Sequence, residues 1–468
     1  MASELKKILP ALLVTALIGW FAGGLHPFWP LMWVAPLPML LLAPTVSWWK
    51  AGLAAFLGWF AGAFTLWGYF AGTLHMPVGV ALGIFAVTAV GFTLPVLLFR
   101  LLVLLGPLWL ALIGAPALSV GLDYLNSLTS VHGTHGSPSY TQLDFLPALQ
   151  AASVAGPWGI TFLLMLFAAA LALLPRDRRI AGAGLAVVAL SLIAGEMRLL
   201  RPQAGQPVKV GLVASDLKEN QGVVEPGEPA ARLFADYARE AVALAQQGAQ
   251  VVVLPENMAV VLAPGDDRAF QEAADSSGAQ IVAGMLNVEG GKKYNEARLY
   301  TPHAPALAYD KQHLLPPFES PFTPGRDLVW QERPEGVWGL AICKDMDFLS
   351  PASRYGAAGA GLMLVPAWDF VDDAWAHGHI SIMRAVEGGF SLVRAARGGF
   401  LTVADDRGRV VAETASWSAP FATLVTTVPG GHDHTLYLQF GDWLANLSLA
   451  FVAAVLLRLA LRRSRSAG

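Results

Sequence analysis

The sequence predicts two structural classes in one chain, a multi-pass α-helical membrane domain and an α/β domain. Hydrophobic residues make up 55% of the 468 residues and charged residues only 14%. Soluble domains carry about 25% charged residues, so a large part of this chain belongs in lipid. The apolar character is uneven, which divides the chain into a transmembrane domain over 1–200, an α/β domain over 205–435 and a C-terminal transmembrane helix with a basic tail over 440–468.

Eight apolar segments have the composition of membrane-spanning helices, which need about 20 mainly apolar residues. Seven precede the α/β domain and one follows it: 8–25, 28–44, 51–71, 78–99, 101–122, 158–174, 180–194 and 443–461. Lys6 and Lys7 resemble the charged start of a signal peptide. Because no small-residue cleavage site precedes a soluble region, we expect the first segment to remain as a helix.

The distribution of positive charge predicts the orientation of these segments, since Lys and Arg concentrate in cytoplasmic loops. The alternate loops, around His26, around His75 and over 123–157, contain no Lys or Arg. We therefore predict that both termini are cytoplasmic and that the α/β domain lies outside, which in a bacterium is the periplasmic side of the inner membrane. The basic residues lie at the two ends and in the remaining loops: Lys6, Lys7, Lys50, Arg100, Arg176, Arg178, Arg179, Arg462, Arg463 and Arg465.

The long loop over 123–157 is rich in polar side chains. His132 and His135 are candidate metal ligands, but no carboxylate or cysteine lies at a suitable spacing. The simpler interpretation is a folded re-entrant loop whose polar groups are satisfied internally. Its polar residues are Asp123, Tyr124, His132, His135, Ser139, Tyr140, Gln142 and Gln150.

Apolar strands alternate with amphipathic helices over 205–435, which predicts a sheet buried under helices. The predicted helices cover 229–244, 266–277 and 380–387, and a hairpin turn is predicted at 406–408. The predicted strands are 208–213, 249–254, 280–285, a pair around Tyr294-Asn295 and 307–309, then 339–342, 361–365, 391–395 and 401–404.

Three reactive side chains follow three of these strands. Glu256, Lys311 and Cys343 each lie at the end of an apolar run, and Cys343 is the only cysteine in the chain. A lone cysteine is either inert packing or a chemical group, because it cannot form an internal disulfide. Active sites of α/β sheets form at strand ends, so the three residues together favour a shared catalytic site over three separate loop residues. A net charge of −3 argues against a nucleic-acid partner.

The sequences around these residues resemble the signatures of the nitrilase, or carbon–nitrogen hydrolase, superfamily. The matching segments are Leu254-Pro255-Glu256, then 311–319 from Lys311 to Glu319, then Ile342-Cys343-Lys344-Asp345. The resemblance implies an α-β-β-α sandwich and a Glu–Lys–Cys triad. Seven spans before such a domain and one after it resemble the apolipoprotein N-acyltransferase family within this superfamily, and the likeness extends over nearly the whole chain. Weaker supporting segments are 136–142, Tyr294-Asn295, 384–387, Arg394-Ala395 and 435–442.

The resemblance implies a mechanism and two partners. Cys343 would take an acyl chain from a phospholipid as a thioester, and a diacylated lipoprotein would accept it on its N-terminal amine. Glu256 is the expected base and Lys311 the expected stabiliser of the oxyanion. Glu319 matches the second essential carboxylate of the family and would orient Lys311 or the amine. No cofactor or metal is expected, since a thioester is already activated toward amines.

Lys344 and Asp345 are supporting candidates at which the sequence departs from the family, which usually has Cys-Tyr-Glu at the nucleophile. Lys344 either lowers the pKa of the thiol, contacts a phosphate or is simply solvated. This departure keeps two other functions open. One is a membrane-anchored amidase or an acyltransferase for a different amine, and the other is a non-catalytic scaffold with a nitrilase-like fold.

Further side chains have two possible roles. Phe318, Trp368 and Trp375 form either an apolar lip for acyl chains or part of an ordinary core, and Glu387 is a candidate substrate-binding residue that can instead pair with Arg384 at i, i+3. His377 and His379 have the spacing of metal ligands, but we expect them on the surface of a loop near the entrance.

Overall fold

The structure, a computed structural model, describes residues 2–218 and 222–466. Ala467 and Gly468, at the end of the predicted basic tail, lie outside the described residues. The chain forms two compact units. The first comprises Met1–Thr129, Gly136–Leu200 and Phe440–Gly468, and the second comprises Ser130–His135 and Arg201–Gln439. The α/β unit thus includes a six-residue piece of the long loop that the sequence assigned to the membrane domain.

The first unit is helical. Five of its described helices are long and apolar enough to cross a membrane: Glu4–Ala22, Val78–Leu105, Leu108–Thr129, Arg178–Leu199 and Trp443–Leu461. As complete helices, the first of these begins at Ala2 and the last ends at Ser466. The other described α-helices of this unit are Trp29–Met32, Leu37–Leu42, Trp48–Gly62, Leu146–Leu149, Ala152–Ala155 and Pro157–Leu173.

Three of the eight predicted spans differ from single long helices. The segment 28–44 is broken between Met32 and Leu37, because Pro36 and Pro38 have no N–H to donate to the carbonyls of Met32 and Val34 in a continuous helix. Residues 51–71 begin in the helix Trp48–Gly62 but continue as a 3₁₀ turn and a π-helix. The segment 158–174 is a helix of 17 residues.

The charge pattern predicted that Arg100 lies in a loop between two spans, but this residue lies within a helix. It belongs to the helix Val78–Leu105, and the break comes later, at Gly106-Pro107. The Arg100 guanidinium donates from Nε and Nη2 to the carbonyl of Val46, at 3.2 and 2.9 Å. A charge within a long apolar helix is therefore tolerated here because a backbone acceptor is within reach.

Several polar groups of the long loop form hydrogen bonds within the first unit, as a folded re-entrant loop requires. Gln142 accepts from Trp33 at 2.7 Å and donates to the Trp29 carbonyl at 3.1 Å. Ser137 donates to Asp123 at 2.6 Å. These bonds replace the water that a lipid-facing loop would lack.

The second unit contains two sheets that pack face to face. The strands are β1 (Pro207–Ala214), β2 (Val251–Val253), β3 (Val260–Val261), β4 (Gln280–Glu289), β5 (Lys292–Tyr300), β6 (Leu307–Asp310), β7 (Trp330–Arg333), β8 (Gly336–Leu340), β9 (Ala360–Trp368), β10 (Ser391–Arg397), β11 (Phe400–Ala404), β12 (Val410–Ala415) and β13 (Ala422–Pro429). Among the described residues, one sheet has the order β13-β1-β2-β4-β5-β6, with β3 beside β4. The other has the order β12-β11-β10-β9-β8-β7.

The hydrophobic core lies between the sheets and under the helices. Leu212 and Val253 of the first sheet belong to the same buried cluster as Leu340 and Leu364 of the second. The helices Glu228–Gln246 and Arg268–Ser277 bury their apolar faces on the outer side of the first sheet. The helices Ala352–Ala357 and Ala374–Gly388 pack on the second sheet. The layers are therefore helix, sheet, sheet, helix, which confirms the predicted α-β-β-α sandwich.

The parallel core strands direct their carboxyl ends to one side. Strands β1, β2 and β4 are parallel in the first sheet, and β8, β9 and β10 are parallel in the second. Glu256 follows β2, Lys311 follows β6, and Cys343 follows β8. The Glu256 N–H donates to the Ala367 carbonyl of β9 at 3.2 Å, so the ends of the two sheets meet at this position.

Candidate active site

Strand β8 ends at Leu340, and two residues later Cys343 begins the 3₁₀ turn Cys343–Asp347. Its backbone has a φ of 41°, which non-glycine residues rarely adopt. Such strain is characteristic of functional turns, because it persists only where the surrounding packing enforces it. The side chain is 3% exposed, and Sγ lies 3.5 Å from the Trp368 carbonyl.

Lys311 lies between two buried carboxylates. Its Nζ is 2.7 Å from Glu256 Oε1 and 2.9 and 3.1 Å from the two oxygens of Glu319. Burial alone would lower the pKa of Lys311, but the two glutamates outweigh it and raise that pKa above its ordinary value. Lys311 is therefore a permanent cation and cannot accept a proton at neutral pH.

Asn295 ties the same two carboxylates together. Its Nδ2 donates to Glu256 Oε1 at 2.6 Å and to Glu319 Oε1 at 2.5 Å. It lies in the middle of β5, next to Leu286 of β4 in the antiparallel register. From the sequence, Tyr294-Asn295 was only a supporting segment of the family resemblance. Strand periodicity does not reveal which side chain of a strand reaches the neighbouring loops, so this role of Asn295 was not predicted.

The charges around Cys343 act on its thiol in opposite directions. Burial raises the pKa of Cys343, and the negative charge of Glu256 raises it further. The cations His377 and Lys311 lower it. The net effect places the pKa above its ordinary value, so the resting side chain is a thiol that needs a base before it can attack.

His377 contacts the nucleophile, contrary to the prediction of a surface loop. It lies in the first turn of the helix Ala374–Gly388, and its Nε2 is 4.0 Å from Cys343 Sγ. Its Nδ1 is 3.0 Å from Oδ1 of Asp369, which follows β9. His379, on the same helix, is also buried, and its Nδ1 lies 2.8 Å from the Trp375 carbonyl. Helix packing against the sheet buries both rings, which sequence spacing alone did not indicate.

Cys343, Asp369 and His377 place one donor atom each within 4.8 Å of one another. A metal ion would need this proximity. However, Arg394 donates to both oxygens of Asp369, at 2.7 and 2.5 Å, and His377 occupies Oδ1 as well. We therefore assign the cluster to hydrogen bonding and ion pairing.

Two family models match the chain in the order of its two units. The model for the apolipoprotein N-acyltransferase N-terminal domain matches residues 15–170, and the carbon–nitrogen hydrolase model matches residues 228–429. Over both of its units the chain is thus similar to the apolipoprotein N-acyltransferase family. It is therefore an enzyme of the carbon–nitrogen hydrolase superfamily that carries apolar membrane helices, as the sequence signatures predicted.

Two curated relatives match over two thirds or more of the chain. The chain is 27% identical to an apolipoprotein N-acyltransferase of Geobacter metallireducens over 92% of this chain and 91% of the relative. It is 26% identical to that of Haemophilus ducreyi over 67% of this chain and 68% of the relative. Among solved structures, a mutant of the Nesterenkonia AN1 amidase from the nitrilase superfamily aligns at 23% identity and a TM-score of 0.41, over 51% of this chain and 95% of that one.

Asp345, at a position where the family usually has glutamate, is a buried hydrogen-bond centre. Its Oδ1 accepts from the N–H groups of Gln312 and His313, at 3.1 and 2.8 Å. Its Oδ2 accepts from the Tyr309 hydroxyl at 2.7 Å and the Ile342 N–H at 3.1 Å. One carboxylate thus links the turn of Cys343 to the segment that follows Lys311.

Lys344 replaces the usual tyrosine of the family and is buried rather than solvated. Its Nζ lies 2.9 Å from His132 Nδ1 and 3.7 Å from Asp347 Oδ2. Burial is the main reason that the pKa of Lys344 is lowered. The Asp347 carbonyl accepts from both the N–H and the hydroxyl of Thr134, at 3.0 and 2.7 Å, so the segment Ser130–His135 holds the turn that carries the nucleophile.

The remaining candidates divide into exposed aromatic residues and a buried ion pair. Phe318 is 56% exposed and lies 5.9 Å from the Phe370 ring, and Trp368 is 38% exposed and stacks on Arg397. Trp375 stacks on His379. Glu387 is buried and accepts from Arg384 at 2.8 Å, as the i, i+3 spacing predicted. Its carboxylate is therefore engaged within its own helix.

Proposed function

We propose that this protein transfers an acyl chain from a phospholipid to the N-terminal α-amino group of a diacylglyceryl-cysteine lipoprotein. The observation that carries the proposal is the position of the single cysteine. Cys343 lies on a strained turn at the strand ends, where the charges of Glu256 and Lys311 both act on its thiol. The names of the curated relatives support lipoprotein N-acylation as the reaction.

In the first half of the proposed reaction, Glu256 accepts the Cys343 proton and the thiolate attacks the carbonyl carbon of the acyl ester. A carbon–sulfur bond forms, and the positive charge of Lys311 stabilises the oxyanion. Removal of a positioned donor of this kind typically costs about 3–4 kcal/mol. The ester carbon–oxygen bond then breaks, and Glu256 returns its proton to the departing alcohol oxygen, which leaves a thioester and a lysophospholipid.

In the second half, the lipoprotein amine attacks the thioester carbonyl. An amide bond forms and the carbon–sulfur bond breaks, while Glu256 takes a proton from the nitrogen and the thiol is restored. Glu319 holds Lys311 from the other side, at 2.9 Å, and so keeps the cation in place when Glu256 is protonated. Glu256, Lys311 and Cys343 are the proposed catalytic residues, and Glu319 and Asp345 support them.

The exposed aromatic residues suggest how the donor binds. Phe318 directly precedes Glu319 in the chain. The backbone carbonyl of Trp368 accepts a hydrogen bond from Cys343 Sγ at 3.5 Å. Their rings are exposed, and we propose that they provide an apolar surface for an acyl chain. Five described helices are long and apolar enough to cross a membrane, which supports a reaction at the bilayer. The distribution of Lys and Arg among the loops favours the periplasmic face of the inner membrane, where both lipid substrates would be embedded.

The test is intact-protein mass spectrometry of the full-length protein after incubation with phospholipid, beside Cys343→Ala. We expect a mass gain of one acyl chain that hydroxylamine releases and that the variant lacks. A diacylglyceryl-cysteine peptide should then discharge the adduct and become N-acylated. An adduct that the peptide leaves intact would point to a different amine acceptor or to an amidase. Bound lipid without an adduct would contradict the thioester mechanism and favour a scaffold.

A further inference from the structure

His377 is a charged neighbour of the nucleophile that the Glu–Lys–Cys mechanism does not use. Its Nε2 is 4.0 Å from Cys343 Sγ and 3.4 Å from Asp347 Oδ1, and its Nδ1 is 3.0 Å from Asp369 Oδ1. Both ring nitrogens therefore face a carboxylate. A neutral imidazole can donate from only one nitrogen, so this environment suits the imidazolium, which donates from both.

The two carboxylates differ in how their charges are compensated. Asp369 forms a fully buried pair with Arg394, which fixes its orientation and neutralises most of its charge. Asp347 is buried, and its Oδ1 has no hydrogen-bond partner among the described residues apart from the longer His377 contact at 3.4 Å. Lys344 lies 3.7 Å from its other oxygen, so the protonated ring and Lys344 together can balance the charge of Asp347.

Other titratable groups face His377 from the neighbouring elements. His132 and His135, from the segment Ser130–His135, act on the ring as cations when protonated. Lys344, from the nucleophile turn, lies 3.7 Å from Asp347, the carboxylate that the ring also contacts. Burial alone would lower the pKa of His377, but Cys343, Asp347 and Asp369 outweigh burial and raise it well above its ordinary value. The acidic neighbours therefore dominate.

We propose that His377 is a third charged partner of the nucleophile, whose imidazolium, held by Asp369 and Asp347, stabilises the Cys343 thiolate. This inference rests on the proposed nucleophilic role of Cys343. The proton leaves Sγ for Glu256, the electron pair stays on sulfur, and His377 keeps its own proton throughout. An imidazolium has no lone pair to accept a proton, so His377 does not replace Glu256 as the base.

The pKa of Cys343 can be measured without any lipid substrate. The chain has one cysteine, so the rate of alkylation of the full-length protein by iodoacetamide reports on that thiol alone. The rate would be followed by mass spectrometry over about pH 6–11, a range that extends well above the ordinary thiol pKa. His377→Gln removes the charge and keeps a polar side chain. We expect the alkylation midpoint to rise by about one to two pH units, so that the rate near neutrality falls about 10- to 100-fold.

His379→Gln is the matched control, because His379 is buried on the same helix but bonds to the Trp375 carbonyl. Its alkylation profile should follow that of the wild type. His377→Lys keeps a positive charge and should restore part of the shift, which a purely structural role of the ring would not explain. Thermal melting checks the fold, and His377→Asn takes the place of His377→Gln if the latter does not fold.

An alkylation profile of the neutral variant that superimposes on the wild type would overturn the inference. So would an equal shift in His379→Gln, because the effect would then be one of helix packing. The proposed function fails separately, through the absence of an acyl adduct with phospholipid. A shifted thiol without an adduct would keep the role of His377 and reject the reaction, whereas an adduct with an unshifted thiol would do the reverse.

Discussion

The side-chain amide of Asn295 donates a hydrogen bond of 2.6 Å to Oε1 of Glu256, the proposed base. The same oxygen accepts from Lys311 at 2.7 Å. Two carboxylates share one ammonium in this cluster, so the neutral amide supplies donors that a second cation would otherwise have to provide. The amide also leaves Glu256 its second oxygen, on which a proton from the thiol can be received.

Asn295→Ala should slow formation of the acyl-enzyme about 10- to 100-fold. The substitution removes one hydrogen bond from each of Glu256 and Glu319, and bonds to charged groups contribute about 1.5–3 kcal/mol each. Rapid-quench mass spectrometry with phospholipid would measure the rate. Asn287→Ala is the control, because Asn287 makes an equivalent bond of 2.9 Å to Glu296 on the facing strand. Equal losses in both variants would mean that only the hairpin has been destabilised.

Gly284→Ala should displace the loop of Glu256. A Cβ at this position would lie 2.5 Å from the Pro255 carbonyl oxygen and 2.6 Å from the Glu256 Cα, which are backbone atoms that cannot move independently. Overpacking of this kind typically destabilises by about 1–3 kcal/mol. We expect a lower melting temperature and a loss of acyl-enzyme formation of about 100-fold or more, because Glu256 must remain close to the thiol.

Gly83→Ala is the control for Gly284→Ala. It lies in the helix Val78–Leu105, where an added Cβ would meet nothing within 4 Å. This variant should retain both melting temperature and activity. If Gly284→Ala behaves in the same way, the loop that carries Glu256 has more freedom than the close backbone contact implies.

The positions of Glu256, Lys311 and Cys343 could be predicted from the sequence because each follows a short apolar strand. In a sheet buried on both sides, such strands are continuous apolar runs, and the first reactive side chain beyond them marks the sheet edge. A sheet buried under helices was predictable for the same reason, whereas the two-sheet sandwich was implied by the resemblance to the nitrilase superfamily. The catalytic roles of the three residues remain predictions that the thioester experiment tests.

His377 could not be predicted, because its contact with Cys343 depends on how a helix packs on the second sheet. The ring is 34 residues from the thiol in sequence and reaches it only through tertiary structure. The breaks within some of the predicted membrane segments could not be predicted for a different reason. Hydropathy measures apolar content but not backbone continuity, and prolines in 28–44 interrupt a segment whose composition is suitable throughout.

The stability of the α/β unit should decrease as the pH falls from about 6.5 to about 4, in part because of His135. Burial lowers the pKa of His135 to about 4 in the folded protein, below the ordinary value of 6.5. Between these values the unfolded chain binds the proton more readily than the folded chain, so the free energy of unfolding falls with pH and then levels off. We expect a loss of about 2 kcal/mol, less than the full equivalent of the shift because the ring keeps some exposure.

Thermal unfolding of the full-length protein at a series of pH values would measure this loss. His135→Gln removes the titrating group and should flatten that part of the stability curve. His303→Gln is the control, since the His303 ring is 78% exposed. A wild-type curve that stays level between pH 6.5 and about 4 would show that His135 is readily protonated in the folded state.

Asp345→Asn should destabilise the protein more than its small change in shape suggests. The carboxylate accepts four hydrogen bonds, from Tyr309, Gln312, His313 and Ile342. An amide has one accepting oxygen, and its NH₂ group would face two of these donors, each of which then costs about 1–3 kcal/mol.

Asp345→Glu keeps the charge found in the family and should lose about 1–3 kcal/mol through overpacking. Thermal melting would rank the two variants beside Asp327→Asn at an exposed position. A milder effect for asparagine than for glutamate would show that packing, rather than acceptance of these bonds, determines the residue at this position.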